Sequence, residues 1–332
     1  MSLAIASYRE DDLAALRTLV HDPSLAGEFD ALIESEYLDH KLADPLRDRD
    51  ATLLAREGGE PAGFCIAFVL PRAEGGVWAA LRIGVAEPFR RRGVASALLA
   101  AARLDLERRE VAGGLHEMVM SAWRPNPTAR AFAARHGFRH VRQLWQMERE
   151  AEGRSHPSWP EGVTLRVFDG GEAALAEWNQ AYNAAFARHY HFVPATLELH
   201  RRIASAPLFL RDGLGLAYRE GRCVGFCVND RVGKEAEIGV LGVVPEARGI
   251  GLGRALLRWG VEWFGARGEE RVTLRVDGEN ETALALYRSE GFTVSRTRDL
   301  WAIVPGVEAT AALSGRESRT AAGTIPPPAG RP

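Results

Sequence analysis

The apolar and polar positions of residues 163–304 switch between two periods. Val163–Phe168 alternates like a first strand, and Glu172–Phe186 has helical spacing. Gly215–Arg219 and Cys223–Asn229 predict a hairpin across the turn Glu220–Gly221. Glu235–Val244 is again strand-like. Gly253, Leu256, Leu257, Gly260, Val261 and Phe264 then recur at helical spacing, predicting a helix with one buried face. Arg271–Val276 predicts a strand, Thr282–Ser289 a helix, and Phe292–Val304 the closing strands. A variable segment with no dominant period separates Phe186 from about Pro207.

The first half of the chain repeats this order. Residues 82–99 read RIGVAEPFRRRGVASALL and residues 240–257 read VLGVVPEARGIGLGRALL, with Gly93 and Gly251 corresponding at an offset of 158. Upstream, PAGFC (61–65) resembles CVGFC (223–227). Downstream, NPTARAFAARHGF (126–138) matches NETALALYRSEGF (280–292) at an offset of 154, so a few residues differ between the two motifs. One unit is almost half the chain, far longer than a solenoid repeat, which points to a duplicated domain. The expected division is 1–150, a linker at 151–160, 161–310, and a tail at 311–332. The linker, AEGRSHPSWP, is polar with two prolines and no apolar period. The tail is rich in Gly, Pro and Ala, and is expected to be disordered. Each unit reads as a mixed α/β sandwich, a largely antiparallel sheet with helices on both faces.

Composition agrees with two ordinary globular domains. The 332 residues exceed a comfortable single core, and hydrophobic and charged residues make up 46% and 26%. A net charge of −2 gives no basic field for nucleic acid or an anionic membrane. No apolar run approaches the length of a membrane helix, and MSLAIASYREDD lacks the basic start and apolar segment of a signal peptide. A cytoplasmic protein is therefore expected, and the tandem layout fits a monomer. Cys65, Cys223 and Cys227 make neither a disulfide framework nor a zinc site. Cys223 and Cys227 lie four apart in a strand and should point to one side, as packed thiols. No metal is expected.

The candidate chemistry begins where a strand ends at Val243–Ala247 and Arg248–Gly249–Ile250–Gly251–Leu252–Gly253 opens a helix. Glycines let the backbone turn tightly and approach a ligand, while the first helical amides lack partners and favour an anion. Strand, glycine turn and helix together make a phosphate cradle, to which Arg248 or Arg254 could add charge-assisted hydrogen bonds. The loop is not a dinucleotide fingerprint, for no acidic residue closes a parallel βαβ unit, and it lacks the G-K-[ST] ending of a Walker loop. Taken alone, such a turn can also be free of ligand.

The full constellation is more specific: strand, V-x-P, R-G-x-G-x-G, helix, strand, then N-x-x-A-x-x-L-Y-x-x-x-G-F. It resembles the GNAT superfamily of acetyltransferases, whose [QR]-x-x-G-x-[GA] signature matches Arg248–Gly253 and also Arg90–Ala95. The resemblance covers roughly residues 1–150 and 161–305. It implies that the loop amides, with Arg248, Gly249, Ile250, Gly251, Leu252, Gly253 and Arg254, hold the pyrophosphate of acetyl-CoA. Leu241, Gly242 and Val243 would pair with pantetheine, with Asn280 on the later helix nearby. The first unit's counterparts are Ile83, Val85, Arg90, Arg91, Arg92, Gly93, Val94, Ala95 and Asn126. Arg90–Arg92 could reach the 3′-phosphate, or form a solvated face. Acetyl then passes directly to an acceptor amine.

Direct transfer needs a base for the amine and an acid for the departing thiolate. By spacing alone, Glu237 is either such a base or a surface carboxylate, with Glu235 the nearby alternative. Strand period puts Glu237, Gly239 and Leu241 on one face, barring a bulge. Tyr287 is either an acid or a packed ring. The two-domain mycothiol synthases of this superfamily are similar here. They pair a strand Glu eight residues before the Pro, the spacing of Glu237 and Pro245, with a Tyr on the later helix, and they carry activity in the C-terminal domain. That resemblance makes Glu237 the base and Tyr287 the acid. At the same offsets the first unit has Ala79 and Ala133, which exchange no proton. The first unit is expected to be structural or cofactor-binding, and the second catalytic. His189 and His191 fall in the variable segment, as substrate contacts or an alternative base. Trp123 is expected to pack near the first unit's opening. The function read here is acetyl-CoA-dependent N-acetylation of a small-molecule amine. Acetylation of protein N-termini or lysines, and non-catalytic acyl-CoA binding, are the competing readings.

Overall fold

The computed structural model describes residues 2–25, 27–28, 51–109, 113–151 and 156–304. The tail expected to be disordered, part of the linker, and most of the variable segment at 21–50 lie outside the described residues. The first unit runs β1 (Leu3–Ser7), α1 (Leu13–Val20), β2 (Ala51–Glu57), β3 (Glu60–Pro71), β4 (Val77–Val85), α2 (Val94–Arg108), β5 (Leu115–Trp123), α3 (Pro127–Arg135) and β6 (Arg139–Glu150). The second runs β7 (Val163–Val167), α4 (Glu172–Phe186), α5 (Leu197–Ser205), β8 (Leu214–Arg219), β9 (Arg222–Val232), β10 (Glu235–Val243), α6 (Leu252–Gly265), β11 (Arg271–Asp277), α7 (Glu281–Ser289) and β12 (Thr293–Ile303).

All twelve strands form one sheet, in the order β1-β2-β3-β4-β5-β12-β6-β11-β10-β9-β8-β7. Among the described residues, only β4–β5 and β10–β11 pair in parallel. Each unit has the expected mixed sheet with helices on both faces, and one detail is corrected. The expected closing strands are a single long strand in each unit, and the units exchange them. Strand β12 pairs with β5 of the first unit, and β6 pairs with β11 of the second, while β6 and β12 pair with each other. The exchange reaches into packing. Met147 and Ala151 of β6 and its end are buried in the second unit's core, and Trp301 of β12 in the first's. Burying each large apolar side chain contributes about 1.5–3 kcal/mol, so the exchange is a substantial bond between the halves.

Strand β3 shows why these runs are almost continuously apolar. Its alternation sends Phe64 and Ile66 to one face, against Leu16, Leu19 and Val20 of α1, and Cys65 and Ala67 to the other, against Val94, Leu98 and Ala102 of α2. A strand covered on both faces needs apolar side chains on both. The second unit repeats the plan with α4 and α6.

Bulges alter two expectations about facing. In β9, Ala217 pairs with Gly225 and Tyr218 with Cys223, leaving Val224 as an extra residue. The extra residue reverses the alternation, so Cys223 and Cys227 face opposite sides, not one. The bulge is duplicated: Ala62 is extra in β3, and the carbonyls of Val224 and Ala62 accept hydrogen bonds from the amides of Val244 and Ala86 at 3.1 and 3.0 Å. It thus anchors the start of each glycine loop. No described helix is long and apolar enough to cross a membrane.

Candidate active site

The site begins where two parallel strands part. Strand β10 pairs with β11 only at Glu237–Thr273 and Ile238–Leu274, yet keeps its β9 partners to Val243. From Val240 to Val243, the β11 side of its backbone has no strand against it. That edge suits an amide-bearing chain such as pantetheine. A second bulge causes the parting: Ile238 pairs with Asn229 and Val240 with Val228, so Gly239 is the extra residue. The strand-period expectation fails for this reason. Glu237 shares its face with Val240 and Gly242, whereas Leu241 faces the other way, with Ile238.

The bulge also changes which residues of the two units correspond. Strand β4 pairs with β3 without interruption, and Ala80 holds the place against Phe68 that Glu237 holds against Asp230. On the other side Ala80 faces Val119 as Glu237 faces Thr273. The counterpart of Glu237 is therefore Ala80, and not Ala79 as the constant offset gave. The counterpart of Arg275 is Ser121, and that of Tyr287 is Ala133, each helix being capped by its asparagine seven residues earlier.

Glu237 is buried, 6% exposed, and its Oε2 accepts a hydrogen bond from Arg275 Nη2 at 2.9 Å. Burial, the largest influence, raises its pKa above the ordinary carboxylate value. Arg275 opposes this, and Glu235 and Asp230 add to it. A carboxylate with a raised pKa is better matched to taking a proton near neutral pH. Glu235, the alternative base, is held by Gln146 at 3.0 Å. Tyr287 is 9% exposed on α7 and packs beside Phe292. Burial, then the nearby Cys227 thiol, pushes its phenol up to about 12, so it is protonated at any pH the protein meets. Cys227 pairs with Leu241, just inside the opening. The carboxylate and the phenol thus belong to opposite faces of the parted strands.

The two loops share one geometry. Gly251 and Gly93 precede α6 and α2 with φ of +89° and +86°, a left-handed conformation that glycine adopts without strain. No side chain caps either helix, and the first intrahelical bonds come from the amides of Ala255 and Ala97. The amides of Leu252, Gly253 and Arg254, and of Val94, Ala95 and Ser96, therefore have no intrahelical partner. Among the described residues, nothing lies within 4 Å of a Cβ built on Gly249, Gly251 or Gly93. Open glycines under free amides fit a pyrophosphate in both units.

The arginines flanking each loop are held by contacts within the chain. Arg248 donates to the carbonyls of Val243 at 3.2 Å and Ala185 at 2.8 Å, fastening the loop to α4. Arg90 does the same through Val85 and Ser24. Arg254 pairs with Glu290 at 2.9 Å, and Arg92 with Glu57 at 3.2 Å. Asn280 and Asn126 accept from the amides of Ala283 and Ala129, which spends one side-chain oxygen of each on the helix cap.

The two histidines of the variable segment part company: His189 packs on Phe186 of its own unit, and His191 turns toward the first unit. His191 Nε2 lies 3.0 Å from Glu117 Oε2, and its ring meets Trp78 at 4.6 Å. Tyr190 sits under Arg142 of β6, which also pairs with Asp277 and Glu279. Burial holds His189 below its ordinary pKa, with Asp277 raising it and Arg248 lowering it. The segment after α4 thus bridges both units beside the opening. Trp123 is packed under Arg296 and Arg298, each 4.2 Å from its ring. Arg275 and the bulge at Gly239 escaped the sequence reading. The available signal for Arg275 was a charge inside the apolar run VTLRV where the first unit has Ser121.

The model of the acetyltransferase (GNAT) family matches residues 15–138 and 173–292. This chain belongs to the GNAT family. It is 38% identical to a mycothiol acetyltransferase of Thermomonospora curvata over 251 residues, 74% of this chain and 80% of that one. A mycothiol acetyltransferase of Catenulispora acidiphila is 32% identical over 303 residues, 86% of this chain and 93% of that one. Among solved structures, a GCN5-related N-acetyltransferase from Sphaerobacter thermophilus matches with a TM-score of 0.69 and 26% identity, over 91% of this chain and 95% of that one. A tandem GNAT protein from the clavulanic acid pathway shares the fold, at a TM-score of 0.69 and 17% identity over 93% and 100%. The chain is a tandem GNAT enzyme, an acetyl-CoA-dependent N-acetyltransferase.

Proposed function

We propose that the second unit's opening is the catalytic site and that its acceptor is a small-molecule amine of the mycothiol acetyltransferase kind. The observation that carries the first part is the asymmetry of the openings: Glu237 and Tyr287 in one, Ala80 and Ala133 at the equivalent places in the other. The relatives named mycothiol acetyltransferase, matched over up to 93% of their length, support the second part.

Acetyl-CoA supplies an activated thioester when bound. The amides of Leu252, Gly253 and Arg254 hold its pyrophosphate, and the free edge from Val240 to Val243 aligns pantetheine along the opening. Glu237 takes a proton at its carboxylate from the acceptor ammonium or attacking amine, directly or through water. Tyr287 delivers its phenolic proton to the sulfur as the carbon–sulfur bond breaks, so that CoA leaves as the thiol, and the phenolate, the stronger base of the two, is reprotonated by the second proton released from the acceptor amine. Each proton transfer contributes roughly 10²–10⁴-fold. The first unit keeps the loop at Gly93, Val94 and Ala95 but neither proton-transfer group, so it binds acetyl-CoA or supports the fold without transferring. The reaction belongs in the cytoplasm, where acetyl-CoA is made.

An acceptor screen that follows CoA thiol release tests the reading. Turnover should be greatest on an amino sugar or another thiol-precursor amine, and should fail with Glu237→Gln and Tyr287→Phe. Full activity in both variants would overturn the site. Turnover confined to peptide amines would overturn the substrate class.

A further inference from the structure

We propose that Arg275 is a positioning residue for the base: it fixes the Glu237 carboxylate at the point where β10 and β11 part and keeps it ionised there before the acceptor arrives. This rests on the reading of Glu237 as base. The geometry is local and specific. Thr273 is the strand partner of Glu237, and Arg275 is two residues further on, hence on the same face just beyond the last pairing. Its Nη2 reaches Glu237 Oε2 at 2.9 Å, so the ion pair spans the mouth of the opening.

The surroundings explain why an arginine is needed. The strand partner on the other side is Asp230, the nearest acid on the same strand is Glu235, and the β6 side chain beyond is the neutral Gln146, already donating to Glu235. Among the groups of the described residues that act on Glu237, Arg275 is the one cation. A buried carboxylate between two other acids would hold its proton and could accept none. One guanidinium, kept in place by the strand, opposes burial and both acids and leaves the pKa only moderately displaced upward, and it orients the carboxylate as it does so.

The first unit provides an internal comparison. There Ala80 stands in the place of Glu237, and Ser121 in that of Arg275. The pair is absent as a pair, while the glycine loop, its anchoring arginine and the helix-capping asparagine are all kept. A guanidinium whose purpose was to hold parting strands together would be wanted in both units. One whose purpose was to serve the carboxylate would be wanted only in the second.

The test is the pH profile of kcat/KM for the full chain and its Arg275→Gln and Arg275→Lys variants, on the acceptor that gives turnover. An opposite charge at this distance lowers a carboxylate pKa by about one to three pH units. Removing it in Arg275→Gln should carry the acidic limb of the profile up by about one pH unit or more, with KM for acetyl-CoA unchanged. Arg275→Lys should restore most of the original limb. In a Glu237→Gln background, Arg275→Gln should cause no further loss, because the two side chains act as one unit. The Glu237 carboxyl band, found by infrared difference against Glu237→Gln, should titrate higher in both arginine variants, and more so in Arg275→Gln. That reading needs no turnover. An unshifted limb and band in Arg275→Lys and Arg275→Gln, or losses that multiply in the double variant, would overturn the inference. Full activity in Glu237→Gln would instead overturn the assignment of the base, whatever Arg275 does.

Discussion

Arg91 and Gly249 hold the same place in the two loops, and both adopt left-handed backbone, with φ of +63° and +81°. Glycine does so freely, whereas a residue with a Cβ is strained by about 1 kcal/mol or more. Part of that strain is offset by the lower entropy of a non-glycine residue in the unfolded chain. Arg91→Gly should therefore raise stability slightly, by about 0.5–1 kcal/mol, and Gly249→Arg should lower it by a similar amount or more. Thermal unfolding of the two variants checks this directly. A loss of stability in Arg91→Gly would show that the arginine contributes contacts that outweigh its backbone.

The pH dependence of turnover follows from Glu237. Burial raises its pKa above the ordinary carboxylate value, and it serves as a base only when deprotonated. Activity should therefore fall as pH falls, with an acidic limb lying above the range of an exposed glutamate. Glu237→Gln should reduce kcat by roughly 10²–10⁴-fold and remove that limb.

Tyr287→Phe should leave the helix and its packing intact while removing the proton donor. We expect kcat to fall by roughly 10²-fold with little change in KM for acetyl-CoA. Steady-state kinetics separate this from a binding defect, which would raise KM and spare kcat.

Met147 is fully buried in the second unit's core, though it belongs to the first unit's closing strand. Met147→Ala should cost about 2–5 kcal/mol. Because the strand is shared, the loss should lower a single unfolding transition common to both halves. Two separate transitions in calorimetry, with only one displaced, would count against the coupling. For the same reason, residues 161–310 expressed alone should be poorly soluble and inactive, and co-expression with residues 1–160 should restore a soluble complex.

Asp299 of β12 gives the seam an acid sensitivity. It accepts two hydrogen bonds from Arg124 at 2.6 Å and lies 3.0 Å from His140 Nε2. Burial opposes its ionisation most, but Arg124 and His140 together outweigh it and hold the pKa below its ordinary value. A depressed carboxylate contributes stability that is fully present above its unfolded pKa, about 4, and lost as pH falls through the lower folded value. Asp299→Asn should reduce stability at neutral pH and flatten its decline below about pH 4, as measured by denaturant unfolding at several pH values.

Much of the fold was legible because it is local. Helical and strand periods marked Glu172–Phe186 and Arg271–Val276 closely, and the repeated glycine loops and asparagine caps gave the order of elements. The partner of a strand is a different matter. The apolar pattern of Thr293–Ile303 is satisfied equally beside β11 or beside β5, so nothing along the sequence records the exchange. The bulge at Gly239 was equally hidden, since one extra residue changes no composition and shifts only the register. It moved the counterpart of Glu237 from Ala79 to Ala80 and separated the faces of Glu237 and Leu241. The expectation for the first unit is the same at either position, because both are alanine. Arg275 was missed because its meaning depends on a carboxylate 38 residues earlier in the chain.

The exchanged strands change what the duplication can become. After a copy of a domain loses its chemistry, nothing in catalysis protects it from deletion. Here deletion of the first unit would take with it the strand that covers β11 and the methionine that fills the second unit's core. The first unit is held in place by architecture, and its opening can diverge while its last strand, lodged in the middle of the common sheet, stays fixed.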